Sequence, residues 1–241
     1  MNGFCGAQSL FMSGRFLITS QPVYAWLALW FTFFGAIFDL LDGKVARWRQ
    51  SSSMLGQELD SLADSISFGV APTFAAFALG LRLPLDTLIL TVFVCAGVAR
   101  LARFNITAAA VPRDASGKAQ YFEGLPIPSS LCLVCGMAIC LALGRFEDAH
   151  GPWHATGAPL PVTGRLAQYA PWAVRAAGVP FGTLSVDFSA QLYKLLAPYL
   201  HRATATAVAE SVGRLAVHKI SLLWFAWALA MVSKTLRVPK P

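Results

Sequence analysis

Apolar residues dominate this chain and are gathered into long stretches that carry no charge. Uncharged runs cover residues 16–38, 65–81 and 124–144. A helix that crosses a bilayer core of about 30 Å needs roughly 20 mainly apolar residues. Two of the runs reach that length, and the middle one falls just short of it. The pattern therefore predicts several membrane-spanning helices.

Proline residues and polar connectors divide these apolar stretches into separate helices. Pro22 and Pro84 each permit a turn and a new helix start, and polar connectors cover 47–57 and 105–123. We therefore predict an all-α, polytopic membrane protein with about six transmembrane helices. Their approximate ranges are 4–20, 23–46, 58–81, 84–104, 126–143 and 215–233.

The segment 145–213 differs from the rest of the chain because it mixes Gly, Pro, His and charged residues with short amphipathic stretches such as 188–200. Its length predicts a long polar insertion outside the membrane. The chain then divides into three parts: a membrane catalytic core at 1–144, an extramembrane and lumenal insertion at 145–213, and a last membrane helix with its tail at 214–241.

Basic residues accumulate in the short loops on one side of the predicted helices. The short loops on the opposite side carry little beyond Arg82. Because cytosolic loops of membrane proteins are enriched in Lys and Arg, the basic side is predicted to face the cytosol. Its basic residues are Lys44, Arg47, Arg49, Arg100, Arg103, Arg113, Lys118, Lys234, Arg237 and Lys240.

The composition supports a membrane protein. Hydrophobic residues make up 56% of the chain and charged residues only 13%, against about 25% charged in soluble proteins. The net charge of +7 is assigned to helix ends that meet anionic lipid, and nucleic acid is not an expected partner. The pair Cys132 and Cys135 lies within an apolar run, so we interpret these thiols as small buried hydrophobes.

Four aspartates form the most informative pattern. Asp39 and Asp42 are three residues apart, and Asp60 and Asp64 are four apart, so each pair shares one helical face. If the second and third helices are antiparallel neighbours, all four carboxylates converge at one level. Charged groups near a membrane core are costly and usually functional. Oxygen-only ligands indicate Mg²⁺ or Mn²⁺.

The chain around these aspartates resembles the CDP-alcohol phosphatidyltransferase family. The resemblance implies a six-helix membrane core, a homodimer, two divalent cations, and CDP-diacylglycerol bound in a cavity open to the cytosolic leaflet. It assigns the metal to Asp39, Asp42, Asp60 and Asp64, and the role of general base to Asp64. It assigns contacts with the CDP-lipid to Gly43, Ala46, Arg47 and Ser53. The matching positions are Asp39, Asp42, Gly43, Ala46, Arg47, Gly56, Asp60 and Asp64.

Other segments bear on the acceptor alcohol. The sequences at 65–72, 99–105 and 122–128 resemble the phosphatidylserine synthase branch of that family, and the C-terminus at 231–241 resembles its fungal members. The resemblance implies L-serine as the acceptor and the endoplasmic reticulum as the location, with a cytosol-facing site.

The chemistry of serine indicates which residues bind it. Its carboxylate suits a bidentate arginine, so Arg100 and Arg103 are candidates for the carboxylate and a phosphate. Asn105 follows them, and Glu123 is a candidate for the serine ammonium. Asn2 is a candidate for contact with the nucleotide.

Two alternatives stay open at this point. The same chemistry with inositol or glycerol 3-phosphate as the acceptor would use the same aspartates. A divalent-cation transporter with an acidic intramembrane site belongs to a different class. Transporters tend to show internal repeats and broken helices, whereas this chain has no visible repeat and concentrates its acids beside a basic turn.

Overall fold

The chain is mostly helical in the computed structural model. Residues 1–48, 54–107, 121–146, 179, 182–187, 189–199, 201, 204, 214–233 and 237–239 are described. The α-helices are α1 (Asn2–Thr19), α2 (Pro22–Trp48), α3 (Met54–Asp64), α4 (Ala71–Leu79), α5 (Pro84–Thr107), α6 (Leu131–Ala142), α7 (Ser189–Leu196) and α8 (Lys219–Val232). The strands are β1 (Tyr121–Glu123), β2 (Thr183–Asp187), β3 (Arg214–His218) and β4 (Arg237–Pro239).

Three helical stretches among the described residues are long and apolar enough to cross a membrane. They are Pro22–Asp42, Leu55–Leu79 and Pro84–Ile106. Two further apolar helices, Ile127–Ala142 and Lys219–Val232, are shorter. The prediction of a helical membrane protein agrees with this arrangement. The predicted count of six spans stays a prediction.

The third predicted helix is continuous but contains a wider turn. A π-helical segment, Ser65–Val70, separates α3 from α4, and the backbone N–H of Ala71 donates to the carbonyl of Ile66, five residues earlier. Pro72 follows directly. Because proline has no N–H and its ring crowds the carbonyl four residues before it, regular α-helical bonding is interrupted here. The wide turn lies immediately after Asp64, at the predicted site.

Close helix contacts hold this wide turn against α1. A Cβ added to Gly6 would lie 2.5 Å from Ser67 Oγ and 2.9 Å from Ser67 Cα. Glycine is therefore required at position 6 for α1 to approach the π-helical segment so closely. The contact matters for function because α1 begins beside the aspartates.

A second packing centre joins α5 to α8. The rings of Phe93 and Trp224 meet edge to face with centroids 4.9 Å apart, and both side chains are buried. Aromatic pairs of this geometry stabilise a core beyond the area that they bury. The C-terminal helix is thus an integral part of the helical core.

Two short antiparallel strand pairs depart from the all-α prediction. Strand β1 pairs with β4, and β2 pairs with β3 over five residues, Thr183 opposite His218 and Asp187 opposite Arg214. The last helix consequently begins at Lys219, rather than at the predicted residue 215. Pairing partners so distant in sequence leave no local pattern by which to predict them.

The two ends of the helical core carry different polar groups. Asp86, near the start of α5, is fully buried at the end opposite the aspartate cluster. Its Oδ1 accepts hydrogen bonds from the His218 backbone N–H at 3.0 Å and from Ser221 Oγ at 2.7 Å. Its Oδ2 lies 2.5 Å from His218 Nδ1 and accepts from the Leu83 backbone N–H at 3.2 Å.

Asp86 therefore anchors the start of α8 to the start of α5. The hydroxyl of Ser221 donates to Asp86, so the three side chains are not arranged as a serine nucleophile with its histidine base. Four contacts supply the hydrogen-bond partners of the buried Asp86 carboxylate. A buried charge without such partners would be strongly destabilising. Neither Asp86 nor His218 stands in a pattern from which this contact could be predicted.

We expect Asp86→Ala to destabilise the protein by about 3 kcal/mol, because it leaves several buried donors without an acceptor. In detergent micelles the midpoint of thermal unfolding should fall by roughly 6 °C or more. Thr91→Ala is the matched control, since Thr91 is an exposed residue of the same helix that bonds only within it. An equal midpoint for the two variants would contradict the anchoring role.

Candidate active site

Three of the predicted metal ligands converge between the C-terminal part of α2 and the C-terminal half of α3. Asp39 of α2 and Asp60 and Asp64 of α3 each offer a carboxylate oxygen, and these oxygens lie within 4.8 Å of one another. Asp39 and Asp64 are partly buried, and Asp60 is exposed. The predicted convergence of the two helices is therefore observed for these three residues.

Asp42 lies outside this group, which corrects the prediction that all four carboxylates share one level. It is exposed, and its Oδ2 lies 3.4 Å from the amino group of Met1. Three residues of α-helix advance the chain by roughly 4.5 Å along its axis. Asp42 lies that distance nearer the end of α2, beside Met1 and at the rim of the cluster, and its role as a metal ligand stays a prediction.

The donor set of the cluster fits a hard divalent cation. Asp39, Asp60 and Asp64 offer only carboxylate oxygens, which suit Mg²⁺ or Mn²⁺ better than zinc. Three carboxylates so close together repel one another unless positive charge is present. A divalent cation bound among them would supply that charge.

Asn2, the first residue of α1, forms a hydrogen bond with the aspartate cluster. Its side chain is almost fully buried, and Nδ2 donates a hydrogen bond to Asp64 Oδ1 at 2.8 Å. Its backbone carbonyl accepts a hydrogen bond from Ser67 Oγ at 3.0 Å. A Cβ on Gly35 would lie 3.1 Å from Asn2 Oδ1, so glycine at that position makes room for the amide.

The predicted contact of Asn2 with the nucleotide stays a prediction, and the side-chain amide of Asn2 bonds to a carboxylate of the cluster. The bond to Asp64 joins residues 62 positions apart. The amino-acid pattern carries no signal for such a pair.

The two candidate arginines have different surroundings. Arg100 is 7% exposed, its Nε is buried without a hydrogen-bond partner, and its guanidinium lies 5.6 Å from the centroid of the Phe104 ring. It is also near enough to Asp64 for the two charges to attract. A buried N–H without an acceptor is costly, so this group is suited to an anionic ligand.

Arg103 instead contacts the backbone of α8. Its Nη1 donates to the Val232 carbonyl at 2.9 Å and its Nη2 to the Met231 carbonyl at 3.4 Å. The last carbonyls of a helix have no partner within it, and a cation there is favourable. Arg103 thus caps α8.

Asn105 ties α5 to α3. Its Nδ2 donates to Ser61 Oγ at 3.0 Å and to Glu58 Oε1 at 3.4 Å, and its Oδ1 accepts from Gln57 Nε2 at 3.4 Å. These contacts hold the helix that carries Arg100 against the helix that carries Asp60 and Asp64. The geometry gives Asn105 a positioning role.

The other predicted contact residues are placed only in part. Gly43, Ala46 and Arg47 lie on α2, in its last turns beyond Asp39, and Glu123 ends β1. The side chains of Ala46, Arg47 and Glu123 lie outside the described part of the structure, as does the whole of Ser53. Their contacts with the CDP-lipid or with serine stay predictions.

Comparison with known proteins identifies the family. The model of the CDP-alcohol phosphatidyltransferase family matches residues 4–183, a range that contains the whole aspartate cluster. The chain belongs to the CDP-alcohol phosphatidyltransferase family. The resemblance stated from the motif is therefore confirmed. A transporter loses its support, because the same aspartates are accounted for by a transferase family.

Relatives in yeast and bacteria carry one name, CDP-diacylglycerol–serine O-phosphatidyltransferase. The Saccharomyces cerevisiae protein is 40% identical over 242 residues, which cover all of this chain and 68% of that protein. The Helicobacter pylori protein is 35% identical over 139 residues, covering 57% of this chain and 55% of its own length. The Bacillus subtilis protein is 40% identical over 111 residues, covering 44% of this chain and 58% of its own length.

The yeast alignment continues through the segment 145–213. The predicted insertion is therefore shared, at least in part, with that relative. Its lumenal placement and its separation as an extramembrane unit stay predictions.

Proposed function

We propose that this protein transfers the phosphatidyl group of CDP-diacylglycerol to the hydroxyl of L-serine and releases CMP. The observation that carries the proposal is the 40% identity, over the whole chain, to the yeast enzyme named for this reaction. The cluster of Asp39, Asp60 and Asp64 agrees with it, since a diphosphate substrate is ordinarily bound through divalent cations.

The aspartates are proposed to hold two divalent cations, Mg²⁺ or Mn²⁺. Asp39, Asp60 and Asp64 form the inner group, and Asp42 at the rim completes the set. When bound, such cations supply Lewis acidity that neutralises the diphosphate and the departing CMP. Gly43, Ala46, Arg47 and Ser53 are the proposed contacts with the CDP-lipid, in keeping with the family motif.

Asp64 is the proposed general base. The serine oxygen forms a bond to the phosphorus that carries diacylglycerol, its proton passes to a carboxylate oxygen of Asp64, and the bond from phosphorus to the CMP oxygen breaks. The hydrogen bond from Asn2 Nδ2 to Asp64 Oδ1 fixes the orientation of this carboxylate. Asn2 is thus a positioning residue for the base.

Arg100 is the proposed partner of the serine carboxylate. It is buried, has an N–H without an acceptor, and lies near Asp64, so a carboxylate bound to it would bring the serine hydroxyl toward the base. Arg103 and Asn105 already bond to α8 and α3, which supports positioning roles for both. Glu123 is retained as the proposed partner of the serine ammonium.

The proposed setting is a bilayer with the aspartates at the cytosolic leaflet. The apolar helices support a membrane enzyme, and the basic residues beside the aspartates support their cytosolic placement. Six spans, a homodimer and residence in the endoplasmic reticulum are further proposals from the resemblance.

The acceptor is tested by supplying purified protein in mixed micelles with CDP-diacylglycerol and Mg²⁺ or Mn²⁺. Bound metal is first removed with a chelator, and Mg²⁺ or Mn²⁺ is then added back. Labelled serine, inositol and glycerol 3-phosphate are each supplied in a separate reaction. We expect labelled lipid from serine and no more than about 1% of that rate from the others, because each lacks a group that the serine site binds. Faster transfer to inositol or glycerol 3-phosphate would contradict the proposal.

Arg100→Lys should raise the KM for serine about tenfold, because an ammonium cannot bind a carboxylate bidentately. The KM for CDP-diacylglycerol should change little. Arg15→Lys is the matched control, since Arg15 is an exposed arginine of α1 that lies over Tyr24. Steady-state kinetics with each substrate varied in turn provides the measurement. An unchanged serine KM in Arg100→Lys would exclude Arg100 from the serine site.

A further inference from the structure

The C-terminal end of the chain packs against the segment that precedes α6. Strand β4 pairs antiparallel with β1, in the register Tyr121–Pro239, Phe122–Val238 and Glu123–Arg237. The paired residues are more than 110 positions apart in sequence. Backbone pairing over that separation fixes the position of β1, and with it the backbone of Glu123.

A second contact follows directly after β1. The Leu125 backbone N–H donates to the Ala230 carbonyl of α8 at 3.2 Å. Gly124 has a φ of 75°, in the region that favours glycine, and a Cβ there would overlap the carbonyl oxygen of Met231. Position 124 therefore excludes a side chain for two independent reasons, its backbone conformation and the closeness of α8.

A third contact reaches the same end of α8 from α5. Arg103 donates to the carbonyls of Met231 and Val232. Arg100 lies three residues earlier on the same helix, about one turn away, and is buried near Asp64. The end of α8 is thus bonded to the helix that carries Arg100 and to Leu125, two residues after the strand that ends at Glu123.

We propose that the residues 230–233 and 237–239, here called the C-terminal clasp, position the acceptor side of the active site. The clasp touches no reacting atom and acts only through the residues that it holds. It holds the end of α5 and the strand β1 in fixed relation, and so sets the position of the Glu123 backbone relative to Arg100; these two residues are the proposed partners of serine. The proposal rests on the function proposed above. Gly124 and Arg103 are its positioning residues.

The clasp affects the binding of serine more than the binding of the CDP-lipid. The aspartates lie on α2 and α3, whereas the contacts of the clasp are made with α5, β1 and the residues after β1. Loosening the clasp therefore moves the partners of the serine carboxylate and ammonium, and leaves the carboxylate cluster in place.

The test compares Gly124→Ala with Gly136→Ala in the full chain. An added Cβ at Gly136 of α6 meets no atom within 4 Å, which makes it a matched control. Gly124→Ala should raise the serine KM about tenfold, with kcat and the KM for CDP-diacylglycerol within about twofold of the parent. Gly136→Ala should leave all three constants unchanged.

Val238→Pro gives a second variant in case Gly124→Ala fails to fold. It changes only the tail beyond α8, and proline removes a backbone donor from β4 opposite Phe122. The same selective rise in serine KM is expected. An unchanged serine KM in a folded variant, or an equal loss for both substrates, would overturn the clasp. If the parent protein does not transfer to serine at all, the proposed function itself fails, and the two failures are thereby distinguished.

Discussion

The placement of several carboxylates at the end of an apolar helical core is the constraint on which the rest of the structure depends. Asp39, Asp60 and Asp64 offer oxygens within 4.8 Å of one another. Such a cluster is unfavourable by itself, because like charges repel and partial burial penalises the charged forms of Asp39 and Asp64. The surrounding elements hold these groups together, and the proposed divalent cations would balance their charge. The cost of the arrangement is the reason to regard it as functional.

Two supports act on the cluster from different directions. From α1, the Asn2 amide bonds to Asp64, and the close approach at Gly6 seats α1 on the π-helical segment that follows. From α5, Asn105 bonds to α3, and Arg100 brings a buried positive charge toward Asp64. The Asp64 carboxylate is thus bonded on one side by Asn2 and lies near the buried Arg100 guanidinium on the other.

The local sequence pattern was sufficient to predict some of these features but not others. The spacing of Asp60 and Asp64 predicted a shared helical face, and the apolar runs predicted the helices. The bonds of Asn2 to Asp64 and of His218 to Asp86 join residues 62 and 132 positions apart, and β1 pairs with β4 over a similar range. Tertiary packing creates such contacts, so they leave no periodic trace in the sequence. Asp42 lies outside the group of three carboxylates, and its part in binding metal stays a prediction.

Binding of Mn²⁺ tests the central role of the carboxylate cluster most directly. Electron paramagnetic resonance of free Mn²⁺ gives the affinity of the parent protein, of Asp60→Asn and of Glu58→Gln, an exposed acid of the same helix outside the cluster. The account predicts saturable binding by the parent and by Glu58→Gln, and at least about tenfold weaker binding by Asp60→Asn, because one ligand charge is lost. Equal Mn²⁺ affinity in all three proteins would contradict it.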